Sequence, residues 1–424
     1  MTDLLKISAT RLAARLAQQE VRPTEVVEAY LDAIERYNPE IRAFTHIDRR
    51  QVMDAARMLE QSVSKGRLYG VPLAVKDVLD TCDMPSAYGS PIWDGHRPRS
   101  DAAVVAMARR AGAMIIGKSA TTEFATKFAP QTVNPHNFRH TPGGSSSGSA
   151  AAVAAGIVPL ALGTQTAGSI VRPASYCGVV GYKPTFGYIH RAGMKVMSEA
   201  LDTIGAIARS VEDAALLVEA ITGRDLGSAD GGSGAPRIAV VLDLPTPLTP
   251  PMSLRLDEVA DLLSRSGASV KRVVLPAAIR QLFDSHPIVM NSEIAKALTW
   301  EYGNRRSELS NVLRDTIEEG RAYAPETIDA ALRSFEIARA SFADMMRSYD
   351  VVLTASALGE APAGLESTGD PVCCIIWTAL HVPSISLPAG AGPNGLPLGI
   401  QVIGRHNEDR GLLTVARWIE TRLK

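Results

Sequence analysis

Two serines in one small-residue run, TPGGSSSGSAAAVAAGIVPLALGTQTAGSIVRP from Thr141 to Pro173, are the residues of this chain best suited to act on an acyl group. Ser145 sits in a Gly-Gly-Ser-Ser-Ser turn, and Ser169 in an Ala-Gly-Ser turn 24 positions further on. Small residues let backbone N–H groups approach a reacting carbonyl, and the apolar segment between the turns suggests that both aim at one point. Upstream, the Val/Leu/Ala-rich run GVPLAVKDVLD carries Lys76 at its end, a cation where burial is expected. A buried lysine loses its charge readily, and the neutral amine is a base.

A serine hydroxyl is a weak nucleophile until a base takes its proton. No histidine stands in a Gly-x-Ser-x-Gly-type context, so Lys76 is the candidate base, with Ser145 able to pass the proton between Lys76 and Ser169. Blander readings compete. GGSSSGS alone suits a linker or a phosphate loop, although no Gly-Lys-Ser/Thr ending supports a P-loop. The SVSK match at residues 62–65 lies on a polar helix end and reads as accidental. His136 and His140 are four apart but lie between Pro135 and Pro142, off any helix, so no metal site is expected. Cys82, Cys177, Cys373 and Cys374 form no Cys-x-x-Cys pair and read as free core thiols.

The elements that must position these residues alternate between helix and strand. ATRLAARLAQQ behind Ser8, PTEVVEAYLDAIERYN behind Pro23, and RRQVMDAARMLEQSVSKG ending at Gly66 predict three opening helices. A strand ending at Lys76, a helix over AAVVAMARR and the strand AMIIGK follow. After the serines, the segment from Tyr176 reads as a Gly/Pro-broken surface stretch, then a helix begins at Ser210. The low-complexity run at residues 226–237 reads as a connector or surface loop. Beyond it come strands IAVVLDLP and ASVKRVVLP around a helix, helical sequence over 291–349, and closing strands and a helix.

Lys76, Ser145 and Ser169 together resemble the catalytic constellation of the amidase signature family. The resemblance extends over most of the chain through GVPLAVKD, GKSATTEFA, CGVVGYKPTFG, LDTIGAIARSVEDAALL, PSISLPAG and GLPLGIQVIG. It implies an α/β/α fold with a large mixed central sheet surrounded by helices. It also implies one domain over 1–424: N-terminal helices (1–65), catalytic core (66–224), a variable substrate-covering region (225–380), and C-terminal strands and helix (381–424). By the same resemblance Ser169 is the nucleophile, Ser145 the bridging serine on a cis peptide, and Lys76 the general acid/base. The N–H groups of Thr166, Ala167, Gly168 and Ser169 would form the oxyanion hole. Departures are informative: Gln165 stands where many relatives carry Asp, Ala167 where they carry a second Gly, and Val171 where they carry Arg. Arg172 instead follows Ser169 by three residues, which resembles a GTQT-type subgroup and weakens the case for the subunit that converts charged glutamyl-tRNA.

Arg172 has two readings: it anchors a substrate carboxylate, or it pairs with a buried acid such as Asp202 to hold the turn. Glu123 reads as a scaffold carboxylate, and Gln165 as a hydrogen-bonding prop for the serine turns. Pocket walls are expected from Met84 to Trp93, Ile189 to Met197 and Cys373 to Trp377, with Tyr88, His190 and Trp377 read equally as substrate-orienting groups or as core packing.

A net charge of −1, with 46% hydrophobic and 21% charged residues, gives no bulk attraction to nucleic acid or an anionic membrane. Neither a secretory leader nor a spanning segment is recognisable in the sequence, so a cytoplasmic protein is expected. The reading is a cofactor-independent, metal-free hydrolase of small-molecule amides, with esters or carbamates not separable, and a homodimer left open. Its rivals are an amidotransferase subunit that works with partner proteins and a catalytically silent binding protein.

Overall fold

The computed structural model describes residues 4–62, 65–227 and 235–424. Val63 and Ser64 of the SVSK match, and residues 228–234 of the low-complexity run, lie outside the described residues. The chain opens with helices α1 (Ala9–Ala17), α2 (Pro23–Ile41) and α3 (Arg49–Glu60), with strand β1 (Phe44–His46) before the third. Ser8 caps α1 by accepting from the Arg11 N–H, and Leu12 and Leu16 bury one face of it. Helix α3 stops at Glu60, short of the expected end at Gly66. Gly66 instead permits backbone contact, since a Cβ there would lie 2.3 Å from the Ala111 carbonyl oxygen.

The next elements are β2 (Pro72–Lys76), α4 (Ala103–Arg110), β3 (Met114–Ser119), α5 (Ser147–Ala154), β4 (Leu160–Gln165), α6 (Val171–Cys177), β5 (Val180–Lys183), β6 (Thr203–Ala208) and α7 (Val211–Thr222). The segment after Tyr176, expected at the surface, contains β5 and β6, which are buried along their whole length. Strand β6 pairs antiparallel with both β4 and β5. Gly205 permits this crowding, since a Cβ there would meet the Tyr182 carbonyl oxygen at 2.2 Å. Glycine here marks close approach of backbones rather than a loop.

The remainder comprises β7 (Arg237–Val241), α8 (Pro250–Arg265), β8 (Ser269–Val273), α9 (Ala277–Arg280), α10 (Leu282–Ala297), α11 (Thr299–Asn304), α12 (Asn311–Ala322), α13 (Pro325–Met345), β9 (Val351–Ala355), α14 (Ile375–Ala379), β10 (Ser384–Ala391), β11 (Pro397–Ile403) and α15 (Asp409–Leu423). Among the described residues, eleven strands form one mixed sheet in the order β1-β3-β2-β4-β6-β5-β10-β11-β9-β7-β8. This is the α/β architecture with a large mixed sheet that the sequence led us to expect. Helix α5 is built from Ser, Gly, Ala and Val because its neighbours close on every side. A Cβ on Gly148 would meet the Ala43 carbonyl oxygen at 2.1 Å. Ser145, two residues ahead of this tightly packed helix, is buried. No helix among the described residues is long and apolar enough to cross a membrane.

Candidate active site

Strands β2 and β4 run parallel, with Ala74 opposite Ala161 and Val75 opposite Leu162, which brings Lys76 level with Gly163 and within reach of Thr164. The Lys76 side chain is fully buried. Its Nζ lies 2.8 Å from Thr164 Oγ1, 3.4 Å from the Thr164 carbonyl oxygen and 2.7 Å from Ser145 Oγ. Burial holds its pKa well below the ordinary lysine value, while the charge of Asp202 acts in the opposite sense.

Ser145 follows a cis Gly144–Ser145 peptide, as the resemblance implied. Its turn is tied down from several sides. Ser147 Oγ donates to the Gly143 carbonyl at 2.7 Å, the Thr164 N–H donates to Ser146 Oγ at 3.3 Å, and Arg172 Nη2 donates to the Gly144 carbonyl at 2.8 Å. Gly143 has φ +80°, and a Cβ there would lie 2.8 Å from Pro173 Cα, so a side chain is excluded on two counts. The Ser146 N–H donates to the Ser169 carbonyl at 3.3 Å, which joins the two serine turns. Lys76 and Ser145 are thus in contact, whereas Ser169 Oγ makes no hydrogen bond among the described residues and lines the adjoining cavity.

The carbonyls of the segment before Ser169 are all occupied. His286 Nε2 lies 3.0 Å from the Thr166 oxygen, Thr378 Oγ1 donates to the Ala167 oxygen at 2.7 Å, and the Arg172 N–H donates to the Gly168 oxygen at 2.9 Å. Gln165 ties this segment to α6: its Oε1 accepts from the Ile170 and Val171 N–H groups, and its Nε2 donates to Thr378 Oγ1. Gln165 therefore props the serine turn, as expected. An aspartate at that position offers no donor for Thr378.

A cavity of about 840 Å³ opens over Ser169, with Thr166, Ala167 and Arg172 in its lining. Gly89, Pro91 and Met197 come from the expected wall segments. Met290 and Ile294 of α10, Leu309 to Val312, and Glu366 to Gly369 also line it and went unrecognised. For Met290 and Ile294 the sequence signal, apolar residues at i,i+4 in a helix, equally describes core packing, and Glu366 to Gly369 lie outside any helix and show no such pattern.

Several expectations need correction. Trp377 does not line the cavity; it is fully buried in a separate core cluster with its ring edge-on to Phe342 of α13. Its segment turns inward because α14 packs under α10. Tyr88 points to Asp80, whose Oδ1 accepts from its hydroxyl at 2.8 Å, and His190 is exposed with Nδ1 accepting from the Ala192 N–H. Asp202 is not the partner of Arg172. It accepts from Thr166 Oγ1 at 2.5 Å and from the Met197 and Ser198 N–H groups. Arg172 is buried without a carboxylate: Nη2 bonds Gly144 and Thr368, while Nε and Nη1 have no protein partner among the described residues. Glu123, by contrast, accepts from the Ser310 N–H and hydroxyl in the way the scaffold reading expects, and burial raises its pKa. Cys82 is exposed, unlike the other three cysteines. Its Sγ lies near Asp83 and Asp101, where a metal ion would meet Arg109, which already bonds both carboxylates at 2.7 and 3.0 Å.

Fold and site together define an α/β enzyme architecture with a serine-lined cavity above a buried lysine. The family model for Amidase matches residues 25–413, and the chain belongs to that family, the amidase signature enzymes. It is 31% identical over 98% of its length, and 97% of the relative's, to the A subunit of glutamyl-tRNA(Gln) amidotransferase from Staphylococcus epidermidis. Among solved structures it resembles the same subunit from Thermotoga maritima, with a TM-score of 0.83, 30% identity and coverage of 99% and 95% of the two chains. It also resembles a peptide amidase from Stenotrophomonas maltophilia, with a TM-score of 0.81, 27% identity and coverage of 98% and 97%.

Proposed function

We propose that this chain is an amide hydrolase in which Ser169 is the nucleophile, Ser145 the proton relay and Lys76 the general acid/base. The observation that carries this reading is the Lys76 environment. Its contacts are two hydroxyls and a carbonyl, and none of them favours an ammonium over an amine as a carboxylate would. A neutral Nζ donates to the Thr164 carbonyl and hydroxyl and accepts from the Ser145 hydroxyl. Ser145 in turn takes the Ser169 proton as Oγ attacks the substrate carbonyl. The proton returns to the leaving amine, an acyl-enzyme remains, and water entering by the same route releases the acid. The N–H groups of Thr166, Ala167, Gly168 and Ser169 have no protein acceptor among the described residues, which leaves them free for the oxyanion.

Arg172 combines a role in the turn, through a carbonyl and not through an acid, with the substrate-anchoring reading. Nη2 holds the Ser145 turn through the Gly144 carbonyl, and Arg172 lines the cavity, where its charge suits a carboxylate or carbonyl on the acyl side of the substrate. The apolar wall of Met197, Met290 and Ile294 takes the remaining part.

A second reading, an amidotransferase subunit dependent on partner proteins, draws support from the full-length match to such subunits. A panel of acidic, aliphatic, aromatic, carbamate and anilide amides separates the two. The hydrolase reading expects the isolated chain to release amine or ammonia, with Ser169→Ala abolishing turnover and the acyl-enzyme mass. Turnover absent alone and restored only by partner subunits overturns it in favour of the second.

A further inference from the structure

Helix α10 belongs to the region expected only to cover the substrate, yet one of its residues reaches the segment that precedes Ser169. His286 is 1% exposed, and its Nε2 lies 3.0 Å from the Thr166 carbonyl oxygen. A carbonyl cannot donate, so Nε2 carries the hydrogen. Burial pushes the imidazole pKa down to about 4, which keeps the ring neutral at ordinary pH, and the bond to Thr166 selects the Nε2–H tautomer. The Thr166 carbonyl shares its peptide group with the Ala167 N–H. A donor on the oxygen fixes the plane of that peptide and increases the positive charge on its hydrogen.

Thr166 is held at both ends, its hydroxyl by Asp202 and its carbonyl by His286. The same helix lines the cavity with Met290 and Ile294, four and eight residues after His286. Its Glu293 accepts from Ser198 Oγ and the Ala200 N–H, beside Asp202. One helix therefore grips the peptide and shapes the space where the acyl group lies.

We propose that His286 is a positioning residue for acyl transfer, orienting and polarising the Ala167 N–H so that it stabilises the oxyanion, and that α10 thereby couples the acyl pocket to the catalytic segment. This rests on Ser169 being the nucleophile. A fluorophosphonate probe reads it without knowledge of the natural amide. Ser169 Oγ attacks phosphorus, fluoride leaves, the proton passes toward Lys76, and negative charge develops on the phosphoryl oxygen in the oxyanion position.

Removing a direct oxyanion donor lowers rates by about 10²–10³-fold, so loss of the supporting bond should cost less, about tenfold. The His286→Met variant is expected to lose about tenfold in the maximal labelling rate with the probe concentration at half-saturation unchanged. His286→Gln, whose side-chain amide can donate from the same position, should return to within about threefold of the parent. If His286→Met does not fold, His286→Asn replaces it, since its shorter amide stops short of Thr166. Equal labelling rates in the parent and the donor-lacking variant, or a glutamine variant as slow as that one, overturn the proposal. So does a change confined to half-saturation. If the parent itself is not labelled at Ser169, the nucleophile assignment fails and this inference with it.

Discussion

Lys76 differs from Lys118, its neighbour one strand away, in the single respect that matters for base chemistry. Both are fully buried. Lys118 lies 3.0 Å from Asp77, whose charge and hydrogen bond offset part of the desolvation that lowers its pKa. Lys76 has no carboxylate in contact among the described residues, so desolvation acts almost unopposed. The carboxylate beside Lys118 favours its ammonium form, whereas no carboxylate touches Lys76 among the described residues. Because the amine is the reactive form, kcat for the parent should rise with pH through this depressed pKa and then level off. Lys76→Ala should lose activity on the order of 10³-fold together with that limb, read from pH–rate profiles on the responsive amide. A surviving limb of unchanged position would assign the base elsewhere.

At the level of elements, the cavity depends on how closely α10 and α12 approach. Gly320 of α12 faces the backbone of α10, and a Cβ there would lie 2.0 Å from the Asn291 carbonyl oxygen. Gly320→Ala must push the two helices apart. Met290 and Ile294 on one, and Asn311, Val312 and Thr316 on the other, all line the cavity. The expected result is a loss of about 1–3 kcal/mol in stability, by thermal or chemical unfolding, and a KM several-fold higher with kcat less affected. Unchanged stability and KM would show that the helices are not in mutual register. Much of this level was readable in advance. Ser8 and Ser210 cap α1 and α7 as their positions suggest, because a capping hydroxyl acts within three residues. The end of α3 and the buried strand β6 were misjudged because Gly66 and Gly205 answer to the backbones of Ala111 and Tyr182, which are distant in sequence.

Across the whole molecule, buried bases make stability depend on pH. His286 titrates at about 4 when folded, against an ordinary value of 6.5. Between those values the unfolded chain binds a proton that the folded chain does not, so this histidine weakens the fold as pH falls from 6.5 toward 4. At about 1.4 kcal/mol per unit the loss amounts to about 3 kcal/mol once the pH is below the folded value. Urea titrations of the parent and His286→Gln should therefore diverge on acidification through that window, with the parent losing more. Parallel curves would place the histidine in contact with water.

The sequence by itself determined the family, because the motifs around Lys76, Ser145 and Ser169 are contiguous runs that can be matched without knowing the fold. It also carried the α/β class through helical and strand periodicity. Tertiary structure alone decided which side chains surround those motifs. Trp377 went to the core, Arg172 was left without the acid expected for it, and His286 arrived from 120 residues away to hold Thr166. These outcomes depend on which helix packs over which strand, and a core aromatic or a buried histidine looks the same in one dimension as one that lines a site.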